Sequence, residues 1–147
     1  MNTFSNKIVF LSVINENDEN VFSRKFAEVD ESEMQFSAFA SLDIIKELLS
    51  EQISMDYSII DPYLGFISPT LIGLNFFKVY AYITATCLKF VLILNDMNLT
   101  SNTIRQLFEE INELYTRTIC NPLLFNKLTN QSFLNKLDEL VLKYNSQ

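Results

Sequence analysis

Apolar and polar positions alternate along this chain in blocks that read as short strands and longer helices. Lys7 to Ile14 is apolar and rich in β-formers, Asn15 to Asn20 is a polar turn cluster, and Val21 to Phe26 is a second β-type run. Together these predict a hairpin. From Met34 to Met55 the residues Phe36, Phe39, Leu42, Ile45, Leu49 and Ile53 recur at steps of three and four, which places them on one face of a helix. The Asp61-Pro62 step marks a boundary, because proline restricts the residue before it. Beyond it, Tyr63 to Ser68 predicts a strand, Pro69 to Leu74 a loop, Asn75 to Thr84 a strand and Leu88 to Leu94 a fifth strand.

The fourth strand is apolar on both sides, with Phe77, Val79, Ala81 and Ile83 on one and Phe76, Tyr80 and Tyr82 on the other. The fifth is also apolar throughout. Hairpin-length connections imply antiparallel neighbours, which usually leave one face wet, so helices are required over both faces here. Two further helical patterns are available. Ile104, Leu107, Phe108, Ile111, Leu114, Tyr115 and Ile119 follow a polar cap region at Thr100 to Thr103 and stop at Asn121-Pro122. Phe133, Leu137, Leu140, Val141 and Tyr144 form a last stripe from about Gln131 to Tyr144. The predicted order is β-β-α-β-β-β-α-α in one domain over residues 1–147, with no internal repeat.

With 48% hydrophobic residues, 13 Phe and 6 Tyr, the chain carries enough apolar area to fold without disulfides or a metal. Its net charge of −7 gives no electrostatic reason to approach nucleic acid or anionic lipid. The two cysteines, Cys87 and Cys120, read as buried thiols in a reducing compartment. No signal peptide is expected from the N-terminal residues. The longest apolar stretch, Leu71 to Leu94, is interrupted by Asn75, Lys78 and Lys89, so a membrane span is not expected either.

Candidate chemistry is sparse. The chain has no histidine, which removes the usual general base, nucleophile activator and metal ligand. Its two glycines, Gly65 and Gly73, cannot build a phosphate-cradling loop or a dinucleotide fingerprint. Glu109, Glu110 and Glu113 cluster between apolar stripe positions and read as a solvated helix face. Asp18, Glu19, Asp30, Glu31 and Glu33 read as solvated turn charges. The expectation is a protein without catalytic activity, cofactor or metal, which neither binds nor turns over nucleotide.

Several motifs, in order, resemble one known family. Ser41-Leu42-Asp43 looks like the Ser-Leu-Asp of sedlin and its relatives. Tyr63-Leu64-Gly65-Phe66, then Pro69-Thr70, then Lys78-Val79-Tyr80-Ala81-Tyr82-Ile83-Thr84, is similar to that family's third and fourth strands, and Leu88-Lys89-Phe90-Val91 to its fifth. Cys120-Asn121-Pro122 resembles the motif closing its second helix. Two segments depart from the pattern: a more apolar Leu71-Ile72-Gly73-Leu74, and Leu123-Leu124-Phe125 after Pro122.

The resemblance implies a longin/profilin-like α/β/α sandwich, with a five-stranded antiparallel sheet, one helix on one face and two on the other. It further implies a non-catalytic adaptor subunit of the transport protein particle (TRAPP), which tethers vesicles and acts on Rab GTPases in ER–Golgi and Golgi transport. Partners would be other TRAPP subunits, with only indirect action on a Rab. The location would be cytoplasmic, peripheral to Golgi and ER membranes. The alternative on the same fold is a small chain of a clathrin-type coat adaptor; a longin SNARE would need a heptad segment beyond Gln147.

Two candidate partner surfaces follow. Leu42 belongs to the apolar stripe, so Asp43 points away from it, with Lys46, Glu47 and Ser50 as neighbours. Leu71, Ile72, Leu74, Phe76 and Phe77 place five large apolar residues in seven positions, more than the sheet faces can absorb. Leu71, Ile72, Leu74 and Phe76 are therefore expected at a second contact patch.

Overall fold

A computed structural model describes residues 7–54, 61–72, 75–95, 99–121, 123 and 130–146. The elements run β1 Ile8–Ile14, β2 Asn20–Lys25, α1 Glu31–Ala40, α2 Leu42–Ser54, β3 Tyr63–Ile72, β4 Asn75–Ile83, β5 Lys89–Asn95, α3 Ser101–Ile119 and α4 Gln131–Asn145. The chain divides into two compact units, residues 1–97 and 98–147.

In the first unit the strands form one five-stranded antiparallel sheet in the order β2-β1-β5-β4-β3. The sheet order decides which strands are central: β5 lies between β1 and β4, so β1, β5 and β4 are interior and β2 and β3 form the edges. Every residue of β1 is buried, and so are Lys89 to Leu94 of β5. Both faces of these strands are apolar and buried, as their unbroken hydrophobic runs demand. Phe10, Ile14, Phe77, Val79, Ala81, Val91 and Ile93 point to the face carrying α1 and α2, where they meet Met34, Ala38, Leu42 and Ile45. Leu11, Val13, Phe90 and Leu92 point to the opposite face and are also buried. The one polar side chain inside β1, Ser12, is satisfied: Asn20 Nδ2 and Gln35 Nε2 donate to its Oγ at 3.0 and 3.2 Å.

The first helical region differs from its expected form in two ways. It consists of two segments, because the buried Ser41 hydroxyl donates to the Ala38 carbonyl at 2.6 Å and competes with the helical ladder there. The buried stripe also runs through Met34, Ser37, Ala38, Ser41, Leu42 and Ile45 rather than through the two phenylalanines. Small residues face the sheet in α1, so Phe36 is 75% exposed and Phe39 is 37% exposed. Asp30, expected in a turn, caps α1 by accepting from the Ser32 and Glu33 N–H groups, and Glu31 and Glu33 lie in the first turn, where the helix dipole favours them.

A third correction concerns Pro69 to Leu74. Residues Pro69 to Ile72 are strand, not loop: Pro69, Thr70, Leu71 and Ile72 pair with Lys78, Phe77, Phe76 and Asn75. Pro69 is tolerated because β3 is an edge strand and needs a ladder on one side only. Gly65 adopts φ +79, in the region that favours glycine, between the two register shifts of the β3–β4 ladder.

In the second unit α3 buries Ile104, Leu107, Phe108, Ile111, Tyr115 and Thr118, and α4 buries Phe133, Leu137, Val141 and Tyr144. Thr100 and Asn130 cap the two helices through their side-chain oxygens. The Tyr144 hydroxyl donates to Glu110 at 2.6 Å, so Glu110 belongs to the helix pair's contacts rather than to a wholly solvated face. Desolvation first, and the Glu110 carboxylate second, push the Tyr144 phenol well above its usual range. The two thiols were expected inside, yet both are exposed: Cys87 sits in the β4–β5 turn at φ 64 and Cys120 caps the end of α3. The expected roles of Ile53, Gly73, Leu74, Pro122, Leu124 and Phe125 lie outside the described residues and side chains.

Candidate functional site

The predicted residues that are described all fall in the first unit, on α2 and the β3–β4 hairpin. Asp43, Lys46, Glu47 and Ser50 are exposed on the outer side of α2, opposite the buried Leu42 and Ile45. Helical periodicity alone produces this separation. Lys46 is not a free cation: its Nζ lies 2.7 Å from Asp18 in the β1–β2 turn. Asp18 also pairs at 3.1 Å with Lys89, whose side chain is only 7% exposed and also donates to the Asn15 carbonyl. Hydrogen bonds first from Lys46 and then from Lys89 hold the Asp18 carboxyl below its usual value, and Asp18 raises Lys46 in turn. One carboxylate thus ties the hairpin turn both to the helix carrying Asp43 and to the start of β5. Asp18 does this at φ 61, a conformation that aspartate tolerates better than most residues.

Between the two helices and edge strand β3 lies an open groove of about 580 Å3. Phe36, Ala40 and Ile44 line one wall, Pro69, Leu71 and Ile72 the other, and Glu33 lies at the margin. Ser37 and Thr70 bridge its floor with a hydroxyl–hydroxyl hydrogen bond of 3.1 Å. Leu71 and Phe76 form a cross-strand pair and are 58% and 62% exposed, whereas Ile72 is half-buried and packs on the core. The structure therefore splits the predicted apolar cluster, with Leu71 and Phe76 outside and Ile72 and Phe77 inside.

Three exposed aromatics, Phe36, Phe39 and Phe66, escaped the sequence reading. Phe36 and Phe39 were assigned to the buried stripe, although Met34 and Ala38 define a stripe that excludes them; that competing register was the available signal. Phe66, 50% exposed, follows the Gly65 irregularity, and alternation counted through an irregular strand carries no signal for its face. Among the described residues no group of three or more His, Cys, Asp or Glu could hold a metal, and no helix is long and apolar enough to cross a membrane. What the site offers is surface: a groove lined by apolar and hydroxyl side chains, an exposed aromatic–aliphatic rim and a charged helix face, the materials of protein recognition.

Comparison with known proteins supports the family resemblance. The trafficking protein particle complex subunit 2-like proteins of Taeniopygia guttata and Bos taurus are each 30% identical over 119 residues, covering 78% of this chain and 81% of theirs. The protein of the same name from Dictyostelium discoideum is 26% identical over 142 residues, covering 92% and 96%. The family model described as Sedlin matches residues 13–143, from the end of β1 into the last turn of α4, and the chain belongs to the sedlin family.

Proposed function

We propose that this protein is a non-catalytic assembly subunit of a TRAPP-type vesicle-tethering complex, acting in ER–Golgi and Golgi transport at the cytoplasmic side of those membranes. Family membership and relatives named as subunits of the trafficking protein particle complex support the reading. The single observation that carries it on this chain is the trio of exposed large apolar side chains beside the α1–β3 groove, Phe36 and Leu71 in its lining and Phe76 paired with Leu71 on β4, which stay in solvent although the core nearby is well packed. Such side chains are each worth about 1.5–3 kcal/mol when buried, enough for two or three to anchor an interface. The outer face of α2, with Asp43, Lys46, Glu47 and Ser50, supplies a second, polar contact. Action on a Rab GTPase would be indirect, through other subunits, in keeping with a chain that has no histidine and two glycines.

Affinity purification of the tagged full-length chain with mass spectrometry tests this. The expected result is recovery of TRAPP subunits, reduced by Asp43→Tyr with the melting temperature unchanged. Recovery of coat-adaptor large chains instead, or of no complex, would reject the proposal.

A further inference from the structure

The outer face of the β3–β4 hairpin, turned away from α1 and α2, adjoins the groove at Pro69 and Leu71 and extends beyond it over β4. Its membership follows from the register. Thr70 bonds to Ser37 of α1, and Phe77 lies in the core with α1, so this cross-strand pair marks the inner face. The flanking pairs Leu71–Phe76 and Pro69–Lys78 therefore both point outward, Leu71 and Phe76 together and Lys78 beside them. Phe66 pairs with Tyr80 further along, and their rings meet edge to face with centroids 5.7 Å apart, which puts both on that outer face as well. Phe66, Leu71 and Phe76 are 50%, 58% and 62% exposed. At 150–250 Å2 per large aromatic side chain, they present on the order of 300–400 Å2 of apolar surface, the size of patch that on a monomer is often functional.

Three occupants can be weighed. A strand added to the β3 edge is disfavoured: Pro69 contributes no donor, and register shifts at Tyr63/Gly65 and Phe66/Ser68 bend the edge. A second copy of the chain is disfavoured by area, since a self-standing dimer buries roughly 800 Å2 on each partner, about twice what this patch offers. A patch of this size suits one structural element of a partner that is held by other contacts too. We propose that this outer face seats one amphipathic helix of another subunit, which inserts Leu, Ile, Met or Phe side chains at i and i+3 or i+4 spacing between the Leu71–Phe76 pair and the Phe66–Tyr80 pair. The inference rests on the assembly-subunit reading above and names the contact within it.

Photo-crosslinking in the purified complex provides the test. Benzoylphenylalanine replaces Leu71 or Phe76 in the tagged full-length chain, the complex is irradiated, and crosslinked peptides are mapped by mass spectrometry. Adducts should concentrate at apolar positions three or four residues apart on one helix of a single partner subunit. Phe66→Ser with Phe76→Ser should lower recovery of that subunit about tenfold or more, as for loss of buried anchors, while the melting temperature holds. Adducts within the chain itself, to a second copy or to a strand would overturn the proposal, as would undiminished recovery with the double variant. A large fall in melting temperature would overturn it too, by assigning these residues to the core. Recovery of the complex without adducts rejects this inference alone; failure to recover any complex rejects the assembly reading with it.

Discussion

Strands β1 and β3 are both rich in apolar residues, yet the first is wholly buried and the second has only Tyr63 of its ten residues fully buried, with Leu64, Ile67 and Ile72 partly buried against the core. Composition does not separate them. Position in the sheet does: β1 has neighbours on both sides, whereas β3 forms the edge. The same side-chain chemistry therefore serves stability in one strand and is left available for recognition in the other. Leucine and phenylalanine at an edge also create a hazard of strand addition, and β3 carries the usual protections, a proline and two irregularities in its ladder.

Substitution can break this contrast most sharply at its buried end. Phe10→Ala, at a position with no exposure and core neighbours on α1, should cost about 3–5 kcal/mol, measured by urea denaturation, and should abolish complex recovery only through unfolding. A loss below about 1 kcal/mol would show that the centre of the sheet is no more constrained than its rim.

An intermediate effect is expected at the polar tie between the β1–β2 turn and α2. Asp18→Ala leaves the buried Lys89 ammonium without its carboxylate, at a cost of about 1–3 kcal/mol, while Lys46→Ala at the exposed end of the same pair should scarcely move the melting temperature. The pH dependence has a definite sign. Because the folded-state pKa of Asp18 is depressed, its contribution is present above the usual carboxylate value of 3.8 and is lost as pH falls through the folded value. Wild type should therefore lose stability more steeply than Asp18→Asn on acidification below about pH 4, followed by circular dichroism.

Gly65→Ala sharpens the comparison within β3. An added Cβ would meet the Tyr63 ring at 3.7 Å, an ordinary contact, so the expected cost of about 1–2 kcal/mol comes from the backbone conformation alone. The smallest effect belongs to the rim. Phe36→Ser and Leu71→Ser should each change unfolding free energy by no more than about 0.5 kcal/mol, while recovery of TRAPP subunits falls. Equal losses of stability and recovery would erase the distinction between core strand and docking strand.

Periodicity was sufficient for much of this molecule. The five strands and the stripes of α3 and α4 follow from spacing of two, three and four residues, because each element must bury one set of side chains whatever it packs on, and the polar run at Thr100 to Thr103 marked the start of α3. The outward placement of Asp43 and its neighbours followed from the same logic. Where two registers competed, spacing failed. In α1 the large Phe36 and Phe39 drew the stripe away from Met34, Ser37 and Ala38, since small residues contribute little hydrophobic signal yet allow a helix to approach a sheet closely. Pro69 read as a loop because an edge strand, unlike a central one, can dispense with a backbone donor, and only the sheet order reveals which strand is the edge.

The sequence alone therefore determined the identity of the elements, their order and the absence of the usual catalytic groups, which are properties of local spacing and residue type. The tertiary structure decided which apolar strand is interior and which is rim, that Asp18 joins two lysines 43 residues apart in the chain, at positions 46 and 89, and that Phe66, Leu71 and Phe76 share one open face. Those are relations between segments distant in sequence or read through an irregular strand, and they are fixed by pairing register and packing rather than by any residue's own preference.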